Sequence, residues 1–270
     1  MSIEEFMGKF NFSQDHAFHI GVEREHFLTK DGVIVPYASK ALDFISNNPW
    51  TRHGKSIEKE MLEKMVGFEL SACQIETRTN PIPLNAVFDE LLWQDEQLTA
   101  SLKRIGLETN RYEVAPDSMP LDVYPDPTGR YQVISKAMPR EVLLAACQVI
   151  GTHVHVGMPN HSTALKVYNK VIGACPDLCK MGDGSNGNRL EIYKVVANDP
   201  MPKKFSDWLG FYDAALQDGY AEDPRKCWNL IRISKHGTIE FRMFGASDSL
   251  ETVMLWVRQC YELCRSAAEC

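Results

Sequence analysis

Apolar and polar residues alternate over residues 19–29, where Ile20, Val22 and Leu28 fall on one face and Gly21, Glu23, Glu25 and Phe27 on the other. Successive side chains of an extended chain point to opposite sides, so this segment predicts a strand. The same period recurs over 149–158, where Val154 and Val156 oppose His153 and His155. It recurs in 228–234 and 238–244, which predict a hairpin turning at Lys235, His236 and Gly237. There Ile239, Phe241 and Met243 oppose Glu240 and Arg242. A helical period governs 84–105, introduced by Pro81 and Pro83, with Leu84, Val87, Phe88, Leu91, Leu92, Leu98, Leu102 and Ile105 in phase. Shorter helices are expected at 39–47, 57–66, 140–147, 163–173 and 205–216. A last helix runs to about Ala267, with Asp248 as its N-cap. Residues 69–77 read as β-like with an irregularity, 108–128 as a loop rich in Pro and Asp, and 180–188 as a glycine-rich loop.

This order mixes strands with long helices and lacks a regular βαβ alternation. It predicts an α+β fold: an antiparallel sheet with helices on its apolar side and a working site on the other. The 270 residues suffice for one substantial core, and no stretch has a linker's composition, so residues 1–270 are expected to form a single domain. The net charge of -7 weighs against a nucleic-acid partner, which needs a basic face. Residues 1–20 show no secretory pattern, and no window approaches the ~18 apolar residues of a membrane span. A cytoplasmic setting is therefore expected, with no membrane partner. The eight cysteines (Cys73, Cys147, Cys175, Cys179, Cys227, Cys260, Cys264 and Cys270) are expected as reduced thiols. Cys175 and Cys179 have a spacing zinc tolerates, without a second matching pair.

Three predicted strands thus carry one apolar and one charged face: Glu23 with Glu25, His153 with His155, and Glu240 with Arg242. Each pair alone reads as a solvated surface or a surface ion pair of little energy. A sheet covered on its apolar side would gather them. Carboxylates gathered without partners repel one another and take up protons, and hard cations such as Mg²⁺ relieve that repulsion. Glu69 and Glu76 are seven apart and fall on opposite faces of a regular strand. Both reach one site only if the segment carries a bulge or starts outside the strand.

Four motifs then occur in order: Gly21-Val-Glu-Arg-Glu25, Glu69-Leu-Ser-Ala-Cys-Gln-Ile-Glu76, Gly151-Thr-His-Val-His-Val-Gly157 and Gly237-Thr-Ile-Glu-Phe-Arg242. With Arg130-Tyr131, Arg189 and Trp228-Asn-Leu-Ile-Arg232, they resemble the glutamate–cysteine ligase type 2 family, the carboxylate–amine ligases, over about residues 19–260. The resemblance implies a glutamine synthetase-like fold, in which a curved, mainly antiparallel sheet forms a funnel flanked by helices. It implies ATP with Mg²⁺ or Mn²⁺ inside. Glu23, Glu25, Glu69, Glu76, His153 and Glu240 match the family's metal-site positions. Arg242 and Arg232 match cations near the transferred phosphate or the substrate carboxylate. Arg130, Arg189 and His155 stand as cofactor contacts.

The implied reaction has two steps: a carboxylate takes the γ-phosphate of ATP as an acyl phosphate, and an amine then displaces phosphate to form an amide. Glutamate and cysteine are the family's default substrates, which would place the chain in glutathione biosynthesis. The assembly is left open, a homodimer among the options. Two features depart from the resemblance. The chain is short for the family, and its glycine-rich loop lacks the Gly-Lys-Ser/Thr ending of a phosphate loop. Two other readings stand beside the ligase: a metal-dependent hydrolase or phosphatase using the same His and Glu cluster, and a non-catalytic relative that binds a nucleotide or amino acid.

Overall fold

The structure, a computed structural model, describes residues 1–269. Its strands are β1 (Ile20–Lys30), β2 (Val33–Ile34), β3 (Thr51–Arg52), β4 (Lys55–Ser56), β5 (Val66–Phe68), β6 (Gln74–Arg78), β7 (Glu108–Asn110), β8 (Thr152–Gly157), β9 (Ile231–Ser234) and β10 (Thr238–Phe244). Its α-helices are α1 (Ile3–Met7), α2 (Ala38–Asn47), α3 (Lys59–Met65), α4 (Val87–Lys103), α5 (Arg130–Ala137), α6 (Arg140–Gln148), α7 (His161–Val171), α8 (Cys175–Met181), α9 (Asn188–Ala197), α10 (Trp208–Gln217) and α11 (Leu250–Glu269). No helix among the described residues is long and apolar enough to cross a membrane.

Eight strands form one open sheet in the order β5-β6-β1-β8-β10-β9, with β2 and β7 also paired to β1. Every pairing in it is antiparallel. The architecture is the expected α+β one, a mainly antiparallel sheet flanked by helices. β1, at 11 residues, pairs with four other strands and organises the rest.

The alternation decides which face meets the helices. Val154, Val156, Ile239 and Phe241 are fully buried, with Met243 nearly so, and pack with apolar residues of α7 and α11. Burying such side chains contributes roughly 1.5–3 kcal/mol each, which fixes strand register, because a one-residue slip would turn every histidine inward. A second cluster joins Leu28 and Ile75 to α2, α3 and α4 through Ile45, Leu62, Leu98 and Leu102. A third gathers Phe27, Cys73, Cys147 and Ile150.

Several expectations change. The helix-facing side of β1 is not wholly apolar, since Arg24 and His26 are buried there. Their polar atoms are satisfied: Arg24 donates to Asp95 at 2.8 Å, Arg111 donates to the same oxygen at 2.7 Å, and His26 meets Thr77 Oγ1 at 3.0 Å. The last helix is capped by Ser249, not Asp248. Ser249 Oγ accepts the Thr252 N–H at 3.2 Å, while the Asp248 side chain is 91% exposed. Residues 69–73 precede the strand instead of extending it, the non-strand start that lets Glu69 and Glu76 face one site. The glycine-rich stretch between α8 and α9 is fastened. Asp183 accepts from the N–H groups of Ser185 and Gly187, and Glu113 accepts from Gly184 N–H at 2.8 Å. Cys175 and Cys179 lie one turn apart on α8. The seven cysteines among the described residues are free thiols; Cys270 lies outside them.

Candidate active site

Strand register assembles the charged face row by row. Glu23 of β1 lies opposite Arg78 of β6 on one side and His153 of β8 on the other. Glu25 lies opposite Glu76. His155 lies opposite Glu240 of β10, and Glu240 opposite Arg232 of β9. Glu69 enters from the loop before β6, Arg130 and Tyr131 from α5, and Arg189 and Tyr193 from α9. The result is a cavity of about 390 Å³. All eleven residues singled out from the sequence line it: Glu23, Glu25, Glu69, Glu76, His153, His155, Glu240, Arg130, Arg189, Arg232 and Arg242. A hollow of about 710 Å³ adjoins it and shares Glu69, Arg78, Arg130, Tyr131 and Arg225.

The carboxylates divide into two electrostatic classes. Glu240 is 1% exposed and serves two arginines. Arg232 donates Nε–H to its Oε2 at 2.7 Å and Nη2–H to its Oε1 at 2.9 Å; Arg242 donates to Oε1 at 2.5 Å. Burial alone would favour the neutral acid, but Arg232, then His155 and Arg242, outweigh it and hold Glu240 far below the usual range. Glu23 is likewise held low: burial opposes its charge, and His155 with His153 prevails. Its Oε2 lies 3.2 Å from His153 Nδ1 and 3.5 Å from His155 Nε2.

Glu25, Glu69 and Glu76 behave in the opposite way. Burial, then the Glu76 charge, pushes Glu25 up to about 7, although its Oε2 accepts the Gly151 N–H at 2.6 Å. Burial, then Glu25, pushes Glu69 up to about 8. Burial and Glu23 raise Glu76 well above the carboxylate range despite its ion pair with Arg78. These three acids crowd together without enough positive charge. The histidines also diverge. Burial, then Arg242, lowers His153 to about 4, so it is a neutral ligand-type imidazole at physiological pH. For His155, burial is outweighed by Glu23 and Glu240, which raise it.

Three groups of potential ligand atoms each lie within 4.8 Å of one another: Glu23, Glu76 and His153; Glu23, His155 and Glu240; Glu25, Glu69 and Glu76. Clustered carboxylate oxygens with one imidazole suit a hard divalent cation. The same cavity carries seven basic side chains against five carboxylates, namely Arg78, Arg130, Arg189, Arg225, Arg232, Lys235 and Arg242. A wall of that composition accommodates an anion as well as a cation.

Not every arginine is free to meet a ligand. Arg189 is 5% exposed and spends its guanidinium on backbone carbonyls, 2.7 Å to Ile150 O, 3.1 Å to Met243 O and 3.4 Å to Arg242 O. It braces the segment leading into β8 against β10. Arg242 also reaches Tyr193 Oη at 3.4 Å and lies over the Trp228 ring. Arg78, Tyr193 and His236 were not singled out from the sequence. Arg78 stands two residues beyond Glu76 and so shares its face, a signal that parity alone could have supplied. Tyr193 belongs to a helix whose period gave no warning.

The family model described as glutamate–cysteine ligase family 2 matches residues 19–179, more than half of the chain. A protein of Gloeobacter violaceus named "Putative glutamate--cysteine ligase 2" is 31% identical over 121 residues, 40% of this chain and 32% of that protein. One of the same name from Chloroflexus aggregans is 22% identical over 255 residues, 88% of this chain and 61% of that protein. The chain thus spans less than two thirds of the length of the curated relatives it matches. A crystal structure of a bifunctional glutathione synthetase from Pasteurella multocida superposes with a TM-score of 0.57 at 13% identity, covering 99% of this chain and 41% of that one, which shows a shared fold. The chain belongs to glutamate–cysteine ligase family 2.

Proposed function

We propose that the protein is an ATP- and Mg²⁺-dependent carboxylate–amine ligase that makes an amide through an acyl phosphate, with glutamate and cysteine as the first pair to test. The observation that carries this reading is the two-sided electrostatics of one cavity. Three under-neutralised acids, Glu25, Glu69 and Glu76, lie beside a basic wall around Arg232 and Arg242. A cation alone would answer the first feature and an anion alone the second; a metal-bound nucleotide answers both.

Glu23, Glu76 and His153, with Glu25 and Glu69, would hold the metal. When bound, Mg²⁺ supplies charge neutralisation and orientation to the nucleotide phosphates. The protein's own part is positioning. Glu240 fixes the forks of Arg232 and Arg242; the N–H groups left over, after Arg232 also gives Nη1 to the Arg225 and Cys227 carbonyls, would meet the oxyanions of a transferring phosphoryl group. Arg189 ties the segment leading into β8 to β10, and Arg130 stands where the cavity meets the larger hollow. Bare carboxylates are poor acyl donors, and phosphorylation supplies the leaving group that lets an amine attack. We extend the proposal to a cytoplasmic setting, a single domain and small-molecule substrates.

Thermal unfolding with Mg²⁺ alone and with Mg²⁺ plus ATP separates this reading from a metal-dependent hydrolase. The ligase reading expects a clearly larger upward shift with both, since ligand that binds only the folded state stabilises it by mass action. An identical shift in the two conditions, together with ester hydrolysis by the metal-loaded protein, would sink it.

A further inference from the structure

The His155 ring is tied into a chain of hydroxyls that the reaction as proposed does not use. Its Nδ1 lies 2.8 Å from Thr238 Oγ1, Thr238 Oγ1 lies 2.9 Å from Ser234 Oγ, and Ser234 Oγ accepts the backbone N–H of His236 at 3.2 Å. Ser234 is 3% and His155 7% exposed. His155 Nε2 is buried with no hydrogen-bond partner among the described residues, and Glu23 Oε2 stands 3.5 Å away.

The direction of the protons along this chain follows from counting acceptors. A hydroxyl has one proton to give and two lone pairs, and a buried proton without an acceptor is costly. Ser234 already accepts from His236, and the acceptor in reach of its own proton is Thr238 Oγ1. If Ser234 donates to Thr238, the Thr238 proton goes to Nδ1, and both hydroxyls and Nδ1 are satisfied. If Nδ1 carried the proton instead and Thr238 passed its own to Ser234, the Ser234 proton would be buried with nowhere to go.

We infer that Thr238 and Ser234 are positioning residues that fix His155 as the tautomer protonated at Nε2, a hydrogen-bond donor into the cavity and not a metal ligand. Two consequences follow. The group of Glu23, His155 and Glu240 drops out as a cation seat, leaving the two groups built on Glu76. The Nε2–H instead serves an oxyanion, Glu23 in the free protein and a phosphoryl oxygen of the nucleotide when it binds. The nucleotide half of this statement rests on the ligase reading; the tautomer does not.

Nitrogen-15 NMR of histidine-labelled protein at mildly alkaline pH, with His155 assigned by difference against His155→Gln, reads the tautomer directly. Protonated Nε2 with unprotonated Nδ1 is expected. Protonation at Nδ1, or at both nitrogens, overturns the inference. Thr238→Val keeps the side-chain shape and removes the hydroxyl, so the Nε2 preference should weaken, and Thr238→Ser should restore it; an unchanged spectrum in Thr238→Val overturns the assignment to the relay. Should Thr238→Val fail to fold, Ser234→Ala asks the same question.

Manganese titration supplies the metal arm. Thr238→Val should bind Mn²⁺ as the parent does, whereas His153→Gln should bind it more weakly; loss of Mn²⁺ affinity in Thr238→Val overturns the donor assignment. Thr238→Val should also weaken ATP binding by about tenfold, the scale of one hydrogen bond, with Thr238→Ser rescuing it. A parent protein that binds no ATP would count against the ligase reading alone, because the tautomer and Mn²⁺ results stand apart from it.

Discussion

Glu240 shows at the scale of one residue how the site is held. It is enclosed by two guanidinium groups whose side chains are themselves only 13% and 11% exposed. Removing its charge leaves both arginines buried without their partner. Glu240→Gln is therefore expected to cost about 3–5 kcal/mol in urea unfolding, the scale of a broken buried pair. Glu25 and Glu69 govern the pH response of the cation-free protein. Their ordinary value is 4.5, and the fold raises them to about 7 and about 8. The folded state binds more protons than the unfolded one between those limits. Their contribution is thus fully present below the ordinary value and lost as pH rises through the raised ones. His153, lowered to about 4 from 6.5, acts oppositely but is spent by its ordinary value. Between pH 6.5 and about 8 the cation-free protein should lose stability, Glu69→Gln should flatten the loss, and added Mg²⁺ should stabilise most at the upper end. A urea midpoint that rises through this window would contradict the assignment.

Among the elements, legibility followed the hydrophobic period. β1, β8 and β10 could be read from the sequence because a half-buried strand must alternate, and the histidine and glutamate pairs came with them. α5 has no buried residue, and α9 buries only Arg189 and Tyr193, so neither offers an apolar stripe to detect. Glu69 escaped strict parity because it lies before β6, and only the family resemblance assigned it to the site. The last helix kept its place but moved its cap by one residue, since adjacent Asp and Ser are equivalent signals until a hydrogen bond chooses between them. Ser249→Ala should accordingly cost about 1 kcal/mol, and Asp248→Ala far less, in thermal unfolding. Gly151 explains why the histidine motif begins with glycine. A Cβ there would collide with the Arg189 guanidinium and meet Phe244 O at 2.8 Å. Gly151→Ala should dislodge Arg189 from Ile150 O and cost about 1–3 kcal/mol, as overpacking does. Gly237 has φ of +72° and abuts the Asn11 carbonyl, so the β9–β10 turn that presents Glu240 also requires glycine.

Across the whole molecule, one sheet does two jobs. Its apolar face is covered by α7 and α11 over β8 and β10 and by α2, α3 and α4 over β1 and β6, and that burial leaves the other face to collect the acids, histidines and arginines of five strands. The α+β class and the sheet's two-faced character were legible because both follow from alternation. The depth of the cavity was not, because its far wall comes from α5, α9 and the loop before β6, whose positions depend on tertiary packing. The proposed reaction transfers phosphoryl to a carboxylate before the amine attacks. Oxygen-18 tracing tests it most directly: a substrate carboxylate labelled with oxygen-18 is supplied with Mg·ATP and an amine, and the released phosphate is analysed by mass spectrometry. One labelled oxygen is expected in each phosphate formed alongside amide, with both products lost in Glu23→Gln. Phosphate that carries oxygen from water and none from the carboxylate would contradict it.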